Sequence, residues 1–340
     1  MYEKSDRRCF LAKGMLGAGG IIAAGSIEEQ TLRAAIQDGS ASSATPKADI
    51  PPGALPQGKI RDISLSRLVL GGNLIGGWAH ARDLMYVSKL FKEYNTEAKI
   101  FETLDIAQAC GVNAIQIGPS DWEPVLRYNK NRANKIQTMV CVSLFPDLTR
   151  MNDEIKRLVD NGATLLYLHG GDADKHLRDG GDVEVFGRTI EMIKAQRVPA
   201  GIGSHSLKIP AACEENKLDP DFYVKTIHID RYWSATPEEN REEWEWLKRN
   251  PTDRGAGNDN LWCLDAAATA EFMEKVEKPW VAFKVMAAGA IRPNVAFAHA
   301  FRNGADFILA GMFDFQIEQD VKIAAECALK FADRKRPWRG

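Results

Sequence analysis

Thr164-Leu165-Leu166-Tyr167-Leu168-His169, then Val183 to Gln196, then Pro199-Ala200-Gly201-Ile202-Gly203-Ser204-His205: a short apolar run, an amphipathic run and a second short apolar run. The two apolar runs have the composition of strands buried on both faces, and the stretch between them has helical spacing. Strand, helix, strand in this order is the parallel crossover unit. The alternation continues upstream. Arg67 to Gly72, Ala114 to Ile117 and Ile136 to Ser143 read as strands. Glu97 to Ala109 reads as a helix stopped by Gly111, and Asn152 to Asp160 as one closed by Asn161-Gly162. Downstream come a helix from Pro210 to Asn216, a strand from Phe222 to His228, a helix from Ala266 to Val276 and a strand from Trp280 to Met286. A helix from Val295 to Asn303, a strand from Asp306 to Ala310 and a last helix from Ile317 to Phe331 complete the series. Eight strands, nearly all followed by helices, predict an α/β fold of the (β/α)8 TIM-barrel type. A doubly wound open sheet is the rival, but it would carry a phosphate-binding fingerprint after its first strand. Gly71-Gly72-Asn73-Leu74-Ile75-Gly76-Gly77 fits no such fingerprint, and no helix follows promptly.

The rest of the chain sets the domain plan. Lys4, Arg7, Arg8 and Lys13 precede an apolar stretch from Met15 to Ala24, and Ala23-Ala24-Gly25 offers small residues for cleavage. Ser5-Asp6-Arg7-Arg8-Cys9-Phe10-Leu11-Ala12-Lys13 resembles the twin-arginine export motif. Residues 1–25 are therefore expected to be a signal peptide, 26–58 a polar linker and 59–340 a single barrel domain. The expected location is the periplasm or cell envelope of a bacterium, with the twin-arginine translocase as a transient partner. No other stretch is long and apolar enough to span a membrane. A net charge of −2 gives no sign of nucleic-acid binding. Without Cys9, five scattered cysteines remain of the six, which predicts mostly buried thiols rather than a disulfide framework.

In a TIM barrel the chemistry sits where strands end at their C-terminal side. His169, His205 and His228 end the fourth, fifth and sixth predicted strands, about 4.8 Å apart from neighbour to neighbour. They could converge as ligands of a divalent metal, with Asp172, Asp230 or Asp314 adding a carboxylate. They could instead act as acid and base, or bind a polar ligand. Lys225 and Lys284 lie within β runs, where desolvation suits an amine to Schiff-base chemistry. Lys225 and His228 have opposite parity, so a regular strand cannot aim both inward. The long segment after the sixth strand carries Tyr232, Trp233, Trp244 and Trp246. It reads as a lid or sugar-stacking surface, or as a helical excursion packed on the barrel. Asn73, Trp78, His80 and Arg82 join the same end from the first strand.

Lys225 and Lys284, on the sixth and seventh strands, resemble the lysine arrangement of deoxyribose-phosphate-type aldolases. More broadly, the chain resembles the aldo-keto reductase superfamily. The similarity runs through Ser66-Arg67-Leu68-Val69-Leu70-Gly71-Gly72, Ile106-Ala107-Gln108-Ala109-Cys110-Gly111-Val112-Asn113, Ile155 to Leu158 with Leu168-His169, Ala200 to His205, and Lys278 to Gly289. It implies a TIM barrel, NADPH as cofactor and an Asp, Tyr, Lys and His tetrad. This chain departs from that tetrad. Gln116 stands at the Asp position, Asp121 and Trp122 lie where the Tyr is expected, and Gln137 to Ser143 lacks the Lys, so only His169 corresponds. Lys225 stands where a Gln holds the nicotinamide, and His228 near where a Tyr stacks on it. Those departures weigh against NADP chemistry. The chain is also similar to twin-arginine-exported barrel proteins of planctomycete-type bacteria, a likeness that carries no reaction.

The resulting expectation is an exported enzyme acting on a small sugar, polyol or carbonyl compound by lyase-, aldolase- or hydrolase-like chemistry. His169, His205, His228, Lys225 and Lys284 would carry the reaction, and Asn73, Trp78, Asp172, Trp233 and Asp314 would hold the substrate. An oxidoreductase with a rearranged tetrad and a non-catalytic ligand-binding barrel are the alternatives.

Overall fold

The computed structural model describes residues 55–81, 84, 86–130, 132–247 and 261–340. The expected signal peptide, most of the expected linker and the end of the segment after the sixth barrel strand lie outside these residues. The chain enters regular structure at Gln57, slightly before the expected end of the linker. Strands β1 (Gln57–Ile60) and β2 (Ile63–Ser66) form an antiparallel hairpin that sequence periodicity did not announce.

Eight parallel strands follow and close on themselves. They are β3 (Leu68–Gly71), β4 (Ala114–Ile117), β5 (Gln137–Val142), β6 (Leu165–Leu168), β7 (Ala200–Ser204), β8 (Phe222–Thr226), β9 (Trp280–Phe283) and β10 (Phe307–Ala310). β10 pairs with β3 through Leu309 and Val69, which shuts the barrel. The expected (β/α)8 barrel is thus the observed fold.

The helices are α1 (Asn73–Gly76), α2 (Tyr86–Tyr94), α3 (Glu97–Ala109), α4 (Glu123–Lys130), α5 (Leu148–Asp160) and α6 (Gly170–Arg178). α7 (Glu184–Ala195), α8 (Lys208–Glu215), α9 (Ala266–Lys275), α10 (Pro293–Arg302) and α11 (Asp314–Lys330) follow. Several starts have chemical causes. Asp147 caps α5 by accepting from the Thr149 and Arg150 amides, and Asp265 caps α9 through the Ala268 amide. Gly111 and Gly162, read as stops, both take positive φ just past their helices.

Strand alternation separates two apolar cores. Val69, Met139, Leu165, Phe222, Val281 and Phe307 fill the barrel together with Ile60 and Leu65 of the hairpin, which plug its N-terminal end. Leu68, Val140, Leu166, Tyr223, Trp280 and Ile308 face the helices. Gly201 makes room inside: a Cβ there would lie 2.5 Å from the Phe222 ring.

The N-terminal end is closed a second time by a charged network. Asp306, fully buried, accepts from Arg334 at 2.8 Å, from Arg336 at 2.6 Å and from the amides of Trp280 and Arg339. Arg67 donates to the Asp306 carbonyl and stacks on Trp338. Burial pushes the Arg67 and Arg334 guanidinium groups down to about 10 despite Asp306. All five described cysteines are buried and free, as expected. Among the described residues, no helix is long and apolar enough to cross a membrane.

Candidate functional site

β6 and β7 end side by side, and their backbones meet closely enough to require glycine. A Cβ on Gly203 would lie 2.7 Å from the Leu168 carbonyl oxygen and 2.8 Å from the Gly170 amide nitrogen. This close approach sets His169, which precedes α6, beside the turn that carries His205. α6 then brings Asp174 under His205.

Asp174 is fully buried. Its Oδ2 accepts from the His205 amide at 2.9 Å, from His205 Nδ1 at 2.8 Å and from Trp246 Nε1 at 3.0 Å. Its Oδ1 accepts from the Ser206 amide at 3.1 Å. Four N–H donors around one buried carboxyl require the ionised, acceptor-only form. That carboxylate fixes the His205 tautomer with the proton on Nδ1. Nε2 is left as a lone-pair nitrogen that makes no hydrogen bond among the described residues. The imidazole stacks on Trp246 at 5.7 Å and touches the Phe283 ring at 5.1 Å, the ring that ends β9 on the inner side of the barrel. Burial, helped by the charges of Lys284 and His169, outweighs Asp174 and drops the His205 pKa to about 4. His205 is therefore neutral at pH 7, an oriented base.

Lys284 leaves β9 with φ +54, a left-handed conformation that side chains rarely adopt. The strand was expected to run to Met286. It ends at Phe283 because this dihedral turns the chain out of the sheet. Ala287 and Ala288 also have positive φ, so the whole turn is strained. Lys284 Nζ sits 3.0 Å from His80 Nε2 and 4.8 Å above the Trp262 ring. Asn73 Nδ2 also reaches His80 Nε2, at 3.2 Å. Trp78 Nε1 donates to Asp121 at 2.8 Å, which holds an indole that is 57% exposed at the end of the first barrel strand. His169 is half exposed, and its Nδ1 lies 3.3 Å from Asp172. Burial pushes the Asp172 carboxyl up, but His169 and the Leu144 amide outweigh it and hold it below the usual carboxylate range. Below these groups, Gln116 Nε2 donates to the Tyr167 hydroxyl inside the barrel.

Several expected roles are corrected. His228 is not a ligand or a base. Its Nδ1 donates to the Ile229 carbonyl at 2.8 Å, and its Nε2 accepts from the amides of Trp262 and Cys263. Both nitrogens are spent on pinning the returning chain, and burial lowers the pKa to about 4. His169, His205 and His228 therefore do not form a metal site. Among the described residues, no group of three His, Cys, Asp or Glu side chains is placed to hold an ion. Lys225 does not face the barrel mouth. Its neighbour Val224 lies in the inner core, so alternation turns Lys225 toward the helices. Asp314 is committed to a clamp, accepting from Tyr94 at 2.6 Å and Lys99 at 3.1 Å. Trp246 and Trp262 pack inward, while Trp233 is 82% exposed. Asp174, the partner of His205, was not among the expected site residues; it lies on α6, whose Gly170-Gly171 start carries no helix-forming signal.

No family model and no curated protein sequence matches the chain. Solved structures do resemble it. A candidate aldo-keto reductase from Pseudomonas aeruginosa superposes with a TM-score of 0.55 at 14% identity, covering 83% of this chain and 99% of that one. Another structure so described, from the same organism, gives 0.53 at 13% identity over 80% and 94%. A mandelate oxidase bound to (S)-2-phenylpropionate gives 0.48 at 11% identity over 84% and 79%. The shared property is the fold.

Proposed function

We propose that the barrel mouth is a catalytic site for acid–base chemistry on a small carbonyl, sugar or polyol compound, of the lyase or aldolase type. The observation that carries this is the Asp174–His205 pair, which leaves a neutral, oriented Nε2 on a ring close enough to Lys284 to feel its charge. His205 takes a proton from a substrate hydroxyl or from carbon next to a carbonyl, and Asp174 stabilises the imidazolium that results. Lys284 supplies either the cation that holds the developing oxyanion or the amine that condenses with the carbonyl. In condensation the C–N bond forms, the carbonyl oxygen leaves as water, and His80 is within reach to take a proton from the amine. Asn73 and Trp78 line the same rim as substrate contacts.

Borohydride trapping with glycolaldehyde and dihydroxyacetone tests the amine route. Mass spectrometry should place the adduct on Lys284 and lose it in Lys284→Met. Proton exchange at the carbon next to the carbonyl, followed by NMR in deuterated water, tests His205 separately. It should fall at least a hundredfold in His205→Ala. Failure of both with a panel of small carbonyls and sugars would leave a binding barrel. Saturable NADPH binding with hydride transfer to an aldehyde would replace the reading by a reductase.

Export supports a function outside the cytoplasm. The Arg7-Arg8 pair and the apolar run after it carry that reading. Arg7→Lys with Arg8→Lys should leave the precursor in the cytoplasm of the host. Unchanged export, shown by fractionation and blotting, would overturn it.

A further inference from the structure

A cavity lies behind His205, outside the barrel, where β8 faces the first turns of α8 and α9. It encloses about 190 Å³ and is bounded by Lys225, Ser206, Leu207, Trp246, Leu264 and Thr269, with Cys263 and His205 also on its wall. Lys225 is 1% exposed. Its Nζ donates to the Thr226 carbonyl at 2.7 Å and to the Thr226 hydroxyl at 3.1 Å, and both acceptors are neutral. Among the described residues no carboxylate lies within ion-pair distance. Asp174 is near enough for its charge to be felt, but its two oxygens already receive four N–H donors. Burial lowers the Lys225 pKa, and an anion bound in the adjoining cavity would restore its charge.

We propose that this cavity is a binding site for a short-chain monocarboxylate, with Lys225 as its counter-charge. The Ser206 hydroxyl, which accepts from the Lys208 amide and keeps its own proton, lies on the same wall and can donate to a carboxylate oxygen. Leu207, Leu264 and the Trp246 indole supply an apolar surface for the short chain. The charge of the ligand is set by the rim. Glu243, paired there with Lys208, and Asp265, which caps α9, would repel a dianion such as phosphate more than a single carboxylate. The site shares His205 with the proposed catalytic group as part of its wall, but it uses none of the groups at Lys284.

Acetate and propionate, titrated against the full-length protein at constant ionic strength with chloride as the balancing ion, test it by calorimetry and thermal shift. The wild type should show saturable binding and a rise in melting temperature of several degrees, with inorganic phosphate at least tenfold weaker. Lys225→Met, which keeps the volume and removes the charge, should lose binding at least tenfold. Leu264→Trp fills the cavity and leaves the cation in place, so it should lose binding as well. It also decides the matter if Lys225→Met does not fold. Absence of saturable binding to the wild type, equal binding by either variant, or a preference for phosphate would overturn the proposal.

Discussion

His205 and His228 have the same pKa displacement but opposite uses. Both end up near 4, first because burial disfavours the imidazolium. His228 spends both nitrogens on backbone groups, whereas His205 spends one on Asp174 and keeps the other. The difference lies in the partners, and it separates a structural histidine from a catalytic candidate. Asp174→Asn should therefore damage His205 and the fold together. An amide offers one acceptor oxygen to four donors, and two N–H groups of its own meet them. The expected cost is about 2–4 kcal/mol by urea denaturation. In that variant the His205 ring should also lose its fixed tautomer, visible in nitrogen-15 NMR. Retention of both stability and tautomer would contradict the assigned role of the pair.

Single elements carry their own tests. The turn after β9 holds Ala288 at φ 55 and ψ 35 inside a short helical turn. Ala288→Gly relieves that conformation but loosens the unfolded chain, for a net gain of about 0.5–1 kcal/mol. A loss of stability would mean that the turn is not strained as described. At the junction of β6 and β7 the sign reverses. Gly203→Ala drives a methyl into the Leu168 carbonyl and the Gly170 amide, which are backbone atoms and cannot rotate away. A cost of about 3 kcal/mol is expected, with His169 and His205 displaced relative to each other. Equilibrium unfolding and histidine NMR report the two effects separately.

At the scale of the molecule, acid sensitivity follows from histidines buried in the neutral form. His205, His228 and His299 all fall from 6.5 to about 4 on folding, with burial the leading cause in each. Between those values the unfolded chain holds more protons than the folded one. Stability is then complete above pH 6.5 and is lost as the pH falls toward 4, by on the order of 3 kcal/mol for each group. Melting temperatures measured from pH 7.5 to 4.5 should decline through that window. A flat profile would show that the rings are hydrated. At the other end of the barrel, Asp306→Asn leaves Arg334 and Arg336 buried without their carboxylate. It should cost about 3–5 kcal/mol while leaving the groups at the mouth in place.

The barrel was legible because its strands are buried on both faces. Runs such as Leu165 to Leu168 and Phe307 to Ala310 stay apolar whatever the register, and glycines close the helices between them. The polar hairpin of Gln57 to Ser66 and the amphipathic α2 and α6 gave weaker signals and were missed. At the site, residue identity and position along a strand nominated His169, His205 and Lys284. Burial, partner and direction were not accessible to that reading. Parity already set Lys225 against His228; alternation of β8 turned Lys225 outward, and the return of Trp262 and Cys263 occupied His228. Sequence by itself determined the eightfold alternation and the histidines that crown three adjacent strands, because periodicity and composition are local. Only the tertiary structure decided which nitrogen remains available, since that depends on Asp174 and Trp246, brought to His205 from other parts of the chain.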